Sequence, residues 1–174
     1  MLQHCSLQEP SCPLPITIRP AVSGDADGIA RVFLESAEYH TALEPERYTV
    51  PSLEAISARY RDGRQHPQAA CASVTLVAAL SGEVVGFIDA RLERSPDPMH
   101  RQMICCCISE VAVSRRHQNQ SIGGRLLRAA EEWGRLHRAE FAFLEYLTAN
   151  VRASSFYHQR MGYRTASVTA IKRL

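Results

Sequence analysis

Glu110-Val-Ala-Val-Ser-Arg-Arg-His-Gln-Asn-Gln-Ser-Ile-Gly-Gly-Arg-Leu-Leu127 runs from an apolar stretch, through a polar loop holding two glycines, into residues with helical spacing. Upstream, Met103 to Val113 reads as a long strand apolar on both faces, hence a central one. Downstream, Ile122, Leu126, Ala130, Trp133 and Leu136 recur at the helical period. The loop therefore opens a helix. The first backbone N–H groups of a helix have no internal partners and sit at the positive end of its dipole, an arrangement suited to phosphate. Gly123 and Gly124 let a ligand approach the backbone closely, and Arg115, Arg116, Arg125 and Arg128 add positive charge. The spacing fits neither G-x-x-x-x-G-K-[ST] nor G-x-G-x-x-G, so nucleotide loops of those kinds are not supported. Taken alone, the window is equally an ordinary strand–turn–helix corner with a solvated basic loop.

A second window supplies context. Asn150-Val-Arg-Ala-Ser-Ser-Phe-Tyr-His-Gln-Arg-Met-Gly-Tyr163 follows the apolar strand Phe141 to Tyr146. Asn150 is a good N-cap and Gly162 a good residue just past a helix end, which predicts a helix from about Val151 to Met161. Ala153, Phe156 and Tyr157 then lie on or near one face.

Ahead of these windows, Ile16 to Arg19 alternates and ends at Pro20, as a short first strand does. A helix is expected from the acidic start at Asp25 and Asp27 to about Glu38. Tyr39 to Tyr48 reads as an irregular connection, and a short second helix covers Leu53 to Tyr60. Asp62-Gly63 and Pro67 break the pattern. Ser73 to Leu80, the turn Ser81-Gly-Glu83 and Val84 to Leu92 form a hairpin, followed by a loop at Ser95 to Pro98. Tyr163 to Arg173 closes the chain as strand material. The order β-α-α-β-β-β-α-β-α-β predicts an α/β (α+β) fold. It has a single mixed, mostly antiparallel, twisted sheet of six to seven strands with helices on both faces. Residues 1–15, with Pro10, Pro13 and Pro15, read as a flexible tail and residues 16–174 as the domain.

The 174 residues suit one domain, and 45% hydrophobic against 22% charged residues allow a full core. A formal charge of +2 gives no reason to expect nucleic acid or an acidic membrane surface. No apolar run reaches the roughly 18 residues that span a bilayer. The start lacks the basic, continuously apolar character of a signal peptide, so the expected location is cytoplasmic. Cys5, Cys12, Cys71, Cys105, Cys106 and Cys107 form no C-x-x-C pair or metal-ligand cluster, so no metal is expected. Buried small hydrophobes account for them better than a catalytic thiol, which needs an electropositive, partly exposed setting.

Together the two windows resemble the GNAT acetyltransferase superfamily. Its phosphate loop carries Q/R-x-x-G-x-G/A, matched here by Gln118-Asn119-Gln120-Ser121-Ile122-Gly123. Its later helix carries N-x-x-A-x-x-x-Y, then Gly and an aromatic, matched by Asn150, Ala153, Tyr157, Gly162 and Tyr163. The resemblance covers roughly residues 16–174 and is strongest over 104–163. One position departs from it: the first loop glycine is Ser121. A Cβ there restricts φ or crowds a pyrophosphate, or else its hydroxyl donates to a phosphate oxygen.

The resemblance implies acetyl transfer from acetyl-CoA, by direct attack, to a primary amine on a small molecule, peptide or protein. Val111, Ala112 and Val113 would pair with the pantetheine arm through their backbone. The amides from Gln118 to Gly124, including Asn119, Gln120 and Ile122, would hold the pyrophosphate. Asn150, with Ala153 on the same helix, would contact the pantetheine portion. Tyr157 would protonate the leaving thiolate. Glu110 is either the base or a carboxylate paired with a nearby arginine. Tyr39 and His40 are acceptor-site candidates, with His100 ambiguous. Family habit also allows a homodimer through the final strands. A non-catalytic acyl-CoA sensor, or an interaction domain with the same fold, is the alternative.

Overall fold

The computed structural model describes residues 15–62, 72–94, 99 and 101–173. Residues 1–14, Gly63, Pro67, Cys71, the loop at 95–98 and His100 lie outside these, so the expectations placed on them stay untested.

In chain order the elements are β1 (Thr17–Pro20), α1 (Ala26–Leu43), α2 (Leu53–Arg61), β2 (Ser73–Leu80), β3 (Glu83–Arg94), β4 (Ile104–Val113), α3 (Ile122–Leu136), β5 (Phe141–Leu144) and α4 (Val151–Ser155). The sheet runs β1-β2-β3-β4-β5, antiparallel except for the parallel pair β4–β5. Its two faces are filled separately. Ile29, Val32, Ile56, Tyr60, Val77 and Phe87 pack α1 and α2 on one side. Val85, Ile88, Ile108, Leu126, Leu127 and Tyr157 pack α3 on the other. Each fully buried Leu or Phe of this kind is worth about 2–3 kcal/mol of apolar transfer. Helix α3 approaches the sheet so closely that a Cβ at Gly134 would stand 2.8 Å from the Cβ of Cys106.

Three expectations need correction. The sheet has five strands among the described residues, not six or seven, because Tyr163 to Arg173 forms no strand. That segment offers little to bury: Val168 is 82% and Ile171 66% exposed. Helix α1 does not stop near Glu38 but continues to Leu43, carrying Tyr39 and His40 with it. Nothing breaks it earlier, and Pro45 then forces Glu44 out of helical geometry (φ −139°, ψ 75°). The last helix keeps α-helical pairing only over Val151–Ser155 and widens into a π turn over Phe156–Arg160.

A bulge decides the shape of the site. Asp89 pairs with Glu110 but Ala90 with Ile108, leaving Ser109 as an extra residue in β4. Such an insertion bends its strand. Pairing between β4 and β5 covers only Cys105 to Ile108 against Phe141 to Leu144. Past the bulge the two strands part, and the end of β4 faces an opening.

Candidate functional site

The opening between β4 and β5 presents unpaired backbone. Ser114 N–H donates to the Val85 carbonyl at 2.9 Å, so the even-numbered residues at this end of β4 bond to β3. By alternation, Val111 and Val113 turn their N–H and C=O groups away from β3. The Val113 carbonyl shows this directly, accepting from Gln118 Nε2 at 3.3 Å. Ala112, buried against α1 and α2, lies between them.

Beyond β4, a 3-10 turn at Arg115–His117 leads into the loop. Asn119 (φ 63°) and Ser121 (φ 61°) are both left-handed, and Ser121 is the N-cap of α3. Left-handed Ser121 followed by helical Ile122 turns successive N–H groups to one side, as in anion-binding backbone concavities. The first bond into the helix is Arg125 N–H to the Ser121 carbonyl, so the amides of Ile122, Gly123 and Gly124 precede the ladder. A Cβ on Gly123 would come no nearer than 3.7 Å to any side chain, so packing within the chain does not demand this glycine. A cavity of about 90 Å³ adjoins the helix start, lined by Ser121, Gly124, Arg128, Phe156, Arg160 and Met161.

The arginines sort themselves. Arg115 turns to Glu35 and Glu38 on α1, and Arg125 donates to the Ile16 carbonyl. Of the four picked from sequence, Arg128 lines the cavity, joined by Arg160. Arg152 donates to Gln118 Oε1 at 3.2 Å, tying the loop to α4. Arg152 and Arg160 were missed because helical periodicity does not say which turn meets the loop.

Asn150 caps α4 as expected: its Oδ1 accepts from Ala153 N–H at 3.0 Å and from the Tyr39 hydroxyl at 3.5 Å. That assignment leaves the amide NH₂ as a donor. Tyr39 thus meets the site through α1. His40 does not share this contact; its Nδ1 bonds the Ser36 carbonyl at 2.8 Å within its own helix.

Tyr157, 7% exposed, sits among Tyr146, Phe156 and Tyr163, with ring centroids 5.5, 5.2 and 6.0 Å away. Burial first, then the charge of Glu110, pushes its hydroxyl up to about 12. The phenol therefore keeps its proton through the neutral range. Beside it, Tyr146 and His158 Nε2 lie 2.7 Å apart, and His158 Nδ1 bonds the Tyr163 carbonyl at 2.8 Å. A carbonyl only accepts, so Nδ1 carries the hydrogen and Nε2 accepts from Tyr146. The π turn produces this pairing, which α-helical spacing did not reveal.

Glu110 is partly buried on the α1–α2 side. Burial, and then the charge of Asp89, raises its carboxyl from the ordinary range to about 7, with Arg59 opposing. Arg115 and Arg125 of the loop pair elsewhere, Arg59 of α2 is the arginine whose charge reaches Glu110, and the neighbour across the strand is another carboxylate. Among the described residues, Cys105, Cys106 and Cys107 fit the packing reading. Burial lifts Cys106 to about 11 and Cys107 to about 12, so neither is a thiolate at neutral pH. Among the described residues no group of three His, Cys, Asp or Glu is set to hold a metal ion, and no helix is long and apolar enough to cross a membrane.

Comparison with known proteins gives the geometry its context. A mutant of the BH1408 protein from Bacillus halodurans superposes with a TM-score of 0.80 at 22% identity, over 91% of this chain and 99% of that one. A transcriptional regulator from Bacillus halodurans gives 0.71 at 18% identity, covering 92% and 100%. The aminoglycoside N-acetyltransferase AAC(6')-Iy in complex with CoA gives 0.70 at 15% identity, covering 95% and 99%. At these identities the likeness is one of fold. No curated protein matches the sequence. The model of the acetyltransferase (GNAT) family matches residues 34–163, and the chain belongs to that family.

Proposed function

We propose that residues 16–174 form an acetyl-CoA-dependent N-acetyltransferase that acts on a primary amine by direct attack in a ternary complex. One observation carries this reading. A single opening in the sheet has the Glu110 carboxyl, pushed up to about 7 by burial and Asp89, on one side, the buried Tyr157 phenol on the other, and a loop with two left-handed residues at its end. The backbone groups of Val111 and the amide of Val113, turned away from β3, suit an extended amide-bearing arm, with the Val113 carbonyl reachable once Gln118 swings aside, and Asn150 offers a further donor to it. The loop amides from Gln118 to Gly124, with Arg128 and Arg160, suit the phosphates. Binding of coenzyme A by AAC(6')-Iy, which shares this fold, supports the assignment.

Glu110 takes a proton from the acceptor amine, directly or through water. The amine nitrogen bonds to the thioester carbon while the carbon–sulfur bond breaks. Tyr157 gives its hydroxyl proton to the departing sulfur and regains one from solvent as Glu110 releases its own. A carboxyl near 7 suits a base, since about half of it is ionised at neutral pH and it holds a proton more tightly than an ordinary carboxylate. A small-molecule acceptor is favoured over a peptide, since the named function of AAC(6')-Iy is aminoglycoside acetylation. We also propose self-association. It is supported by the edge position of β5, with Phe141 and Phe143 exposed, and by the exposed Val168 and Ile171.

Calorimetric titration of acetyl-CoA into the protein and into Asn150→Ala tests the reading. Saturable binding weakened by the substitution supports it and opens a screen of amines for turnover. No binding at millimolar coenzyme defeats it.

A further inference from the structure

Asp89 is the most deeply buried charged side chain among the described residues, at 0% exposure. It lies in the middle of β3, where an apolar side chain would pack without cost, and nothing in the roles assigned so far uses it. Both its oxygens are occupied: Tyr60 from α2 donates to Oδ2 at 2.7 Å, and Thr75 from β2 donates to Oδ1 at 2.6 Å. Two hydroxyl donors on two oxygens are the complement of an ionised carboxylate, which only accepts. The same hydrogen bond and charge hold the Tyr60 phenol in its protonated state, far above its ordinary range, together with burial as the largest cause.

The strand register places Asp89 directly opposite Glu110. Side chains opposite one another on an antiparallel pair stand with Cβ atoms about 5 Å apart. The bulge immediately precedes Glu110, and Ser109 Oγ donates to the Asp89 carbonyl at 3.5 Å, fixing the backbone at this point. We propose that Asp89 is a positioning residue for Glu110: its carboxylate, clamped by Tyr60 and Thr75, stands beside Glu110 across the strand pair and makes that side chain hold a proton taken from an amine. Two neighbouring carboxylates resist double ionisation, so a fixed charge on the buried one favours protonation of the other.

The remaining groups facing the pair fit this arrangement. From α2, Arg59 stacks over the Tyr60 ring at 5.6 Å and offsets part of the negative charge. From α1, Glu35 and Glu38 are turned to Arg115. From the π turn, Tyr157 feels Glu110 but stays neutral. The cluster joins residues 60, 75, 89 and 110, which no local pattern connects.

The inference rests on Glu110 as the base, and the test separates the two ideas. In Asp89→Asn, the amide oxygen can still accept from Tyr60 while its NH₂ donates to Thr75, so the fold has a satisfied substitute; Asp89→Ser removes the same charge with less volume if the amide is not accommodated. The Glu110 carboxyl is titrated by carbon NMR in the coenzyme-free protein, alongside the pH dependence of kcat/KM. The proposal expects the carboxyl to titrate at least about one unit lower, a tenfold loss of proton affinity, with the rising limb of the rate moving down equally. An unmoved Glu110 titration overturns it and leaves Asp89 a packing residue. A Glu110 titration that moves under an unmoved rate profile overturns Glu110 as the base, and with it the positioning role, while the transferase assignment stands.

Discussion

The two sides of the opening in the sheet are built on opposite physical plans. The side proposed for the coenzyme is local. Val111 to Gly124 is one continuous run, with the odd-numbered residues of the strand end turned away from β3, the amides of Ile122 to Gly124 ahead of the helix ladder, and two of its residues in left-handed geometry. The side proposed for the acceptor is assembled from afar. Tyr60, Thr75, Asp89 and Glu110 come from four elements, and the polar atoms of the first three bond to one another in the dry interior beside the fourth. The first side keeps its hydrogen-bonding capacity open for a ligand that brings its own charge. The second spends that capacity internally, beside the single carboxyl whose proton affinity we propose it alters. A phosphate site needs many weak donors presented together, whereas a base needs only one group in an unusual environment.

Damage to the acceptor side should fall on chemistry and spare coenzyme binding. Glu110→Gln is expected to lower kcat by about 10²-fold or more, the range in which general bases act, and to abolish the limb of kcat/KM that rises through about pH 7. Its stability should move the other way. The folded Glu110 carboxyl is raised to about 7 from 4.5, so its protonated form favours folding. That contribution is complete below about pH 4.5 and is lost as pH rises through about 7. Gln removes the penalty, so thermal melts at pH 8 should show Glu110→Gln more stable by about 3 kcal/mol, with the gain vanishing near pH 4. An equal gain at both pH values breaks the contrast between the two sides.

Tyr157→Phe tests the boundary between them. The phenol packs in the α3-side core yet feels the charge of Glu110. A loss of about 10²-fold in kcat with an unchanged coenzyme Kd is expected of a general acid. A raised Kd with kcat intact makes Tyr157 part of the binding wall instead.

The contrast also explains what could be read in advance. The capping of α4 by Asn150, the start of α3 after the loop and the hairpin β2–β3 follow from contiguous residues, and all three stand in the structure. The extension of α1 through Tyr39 and His40 was missed because a polar composition suggested a loop, where only Pro45 actually stops the helix. The strand expected at Tyr163 to Arg173 failed because strand propensity depends on a neighbour that buries the apolar side, and here Val168 and Ile171 stay exposed. Asp89 was invisible for a different reason. A lone acid in the apolar run Val84 to Leu92 gives no sign of its partners until Tyr60 and Thr75 are brought against it.

On the coenzyme side, substitutions should change binding and leave the pH profile in place. Asn150→Ala removes a cap worth about 1 kcal/mol of stability and a donor to the arm, so calorimetry should show acetyl-CoA binding weakened by roughly tenfold. Arg128→Ala and Arg160→Ala remove the charges lining the loop cavity. Each should weaken binding several-fold at low salt and less at high salt, because partly exposed charges are screened.

The smallest effect belongs to Ser121, and it bears most directly on what the loop is for. A non-glycine residue at φ 61° costs about 1 kcal/mol relative to a right-handed conformation. Glycine avoids that strain but loses more freedom on folding, by roughly 0.5–1 kcal/mol. The two terms nearly cancel, so Ser121→Gly should change the melting free energy by less than about 1 kcal/mol. Coenzyme affinity then reports the hydroxyl alone. Equal or tighter binding by calorimetry is expected, because the phosphate contacts come from backbone amides that the substitution leaves in place. A tenfold loss would mean that the Ser121 hydroxyl is itself a phosphate donor. In that case the strain at this position is retained for a side-chain contact that glycine cannot supply.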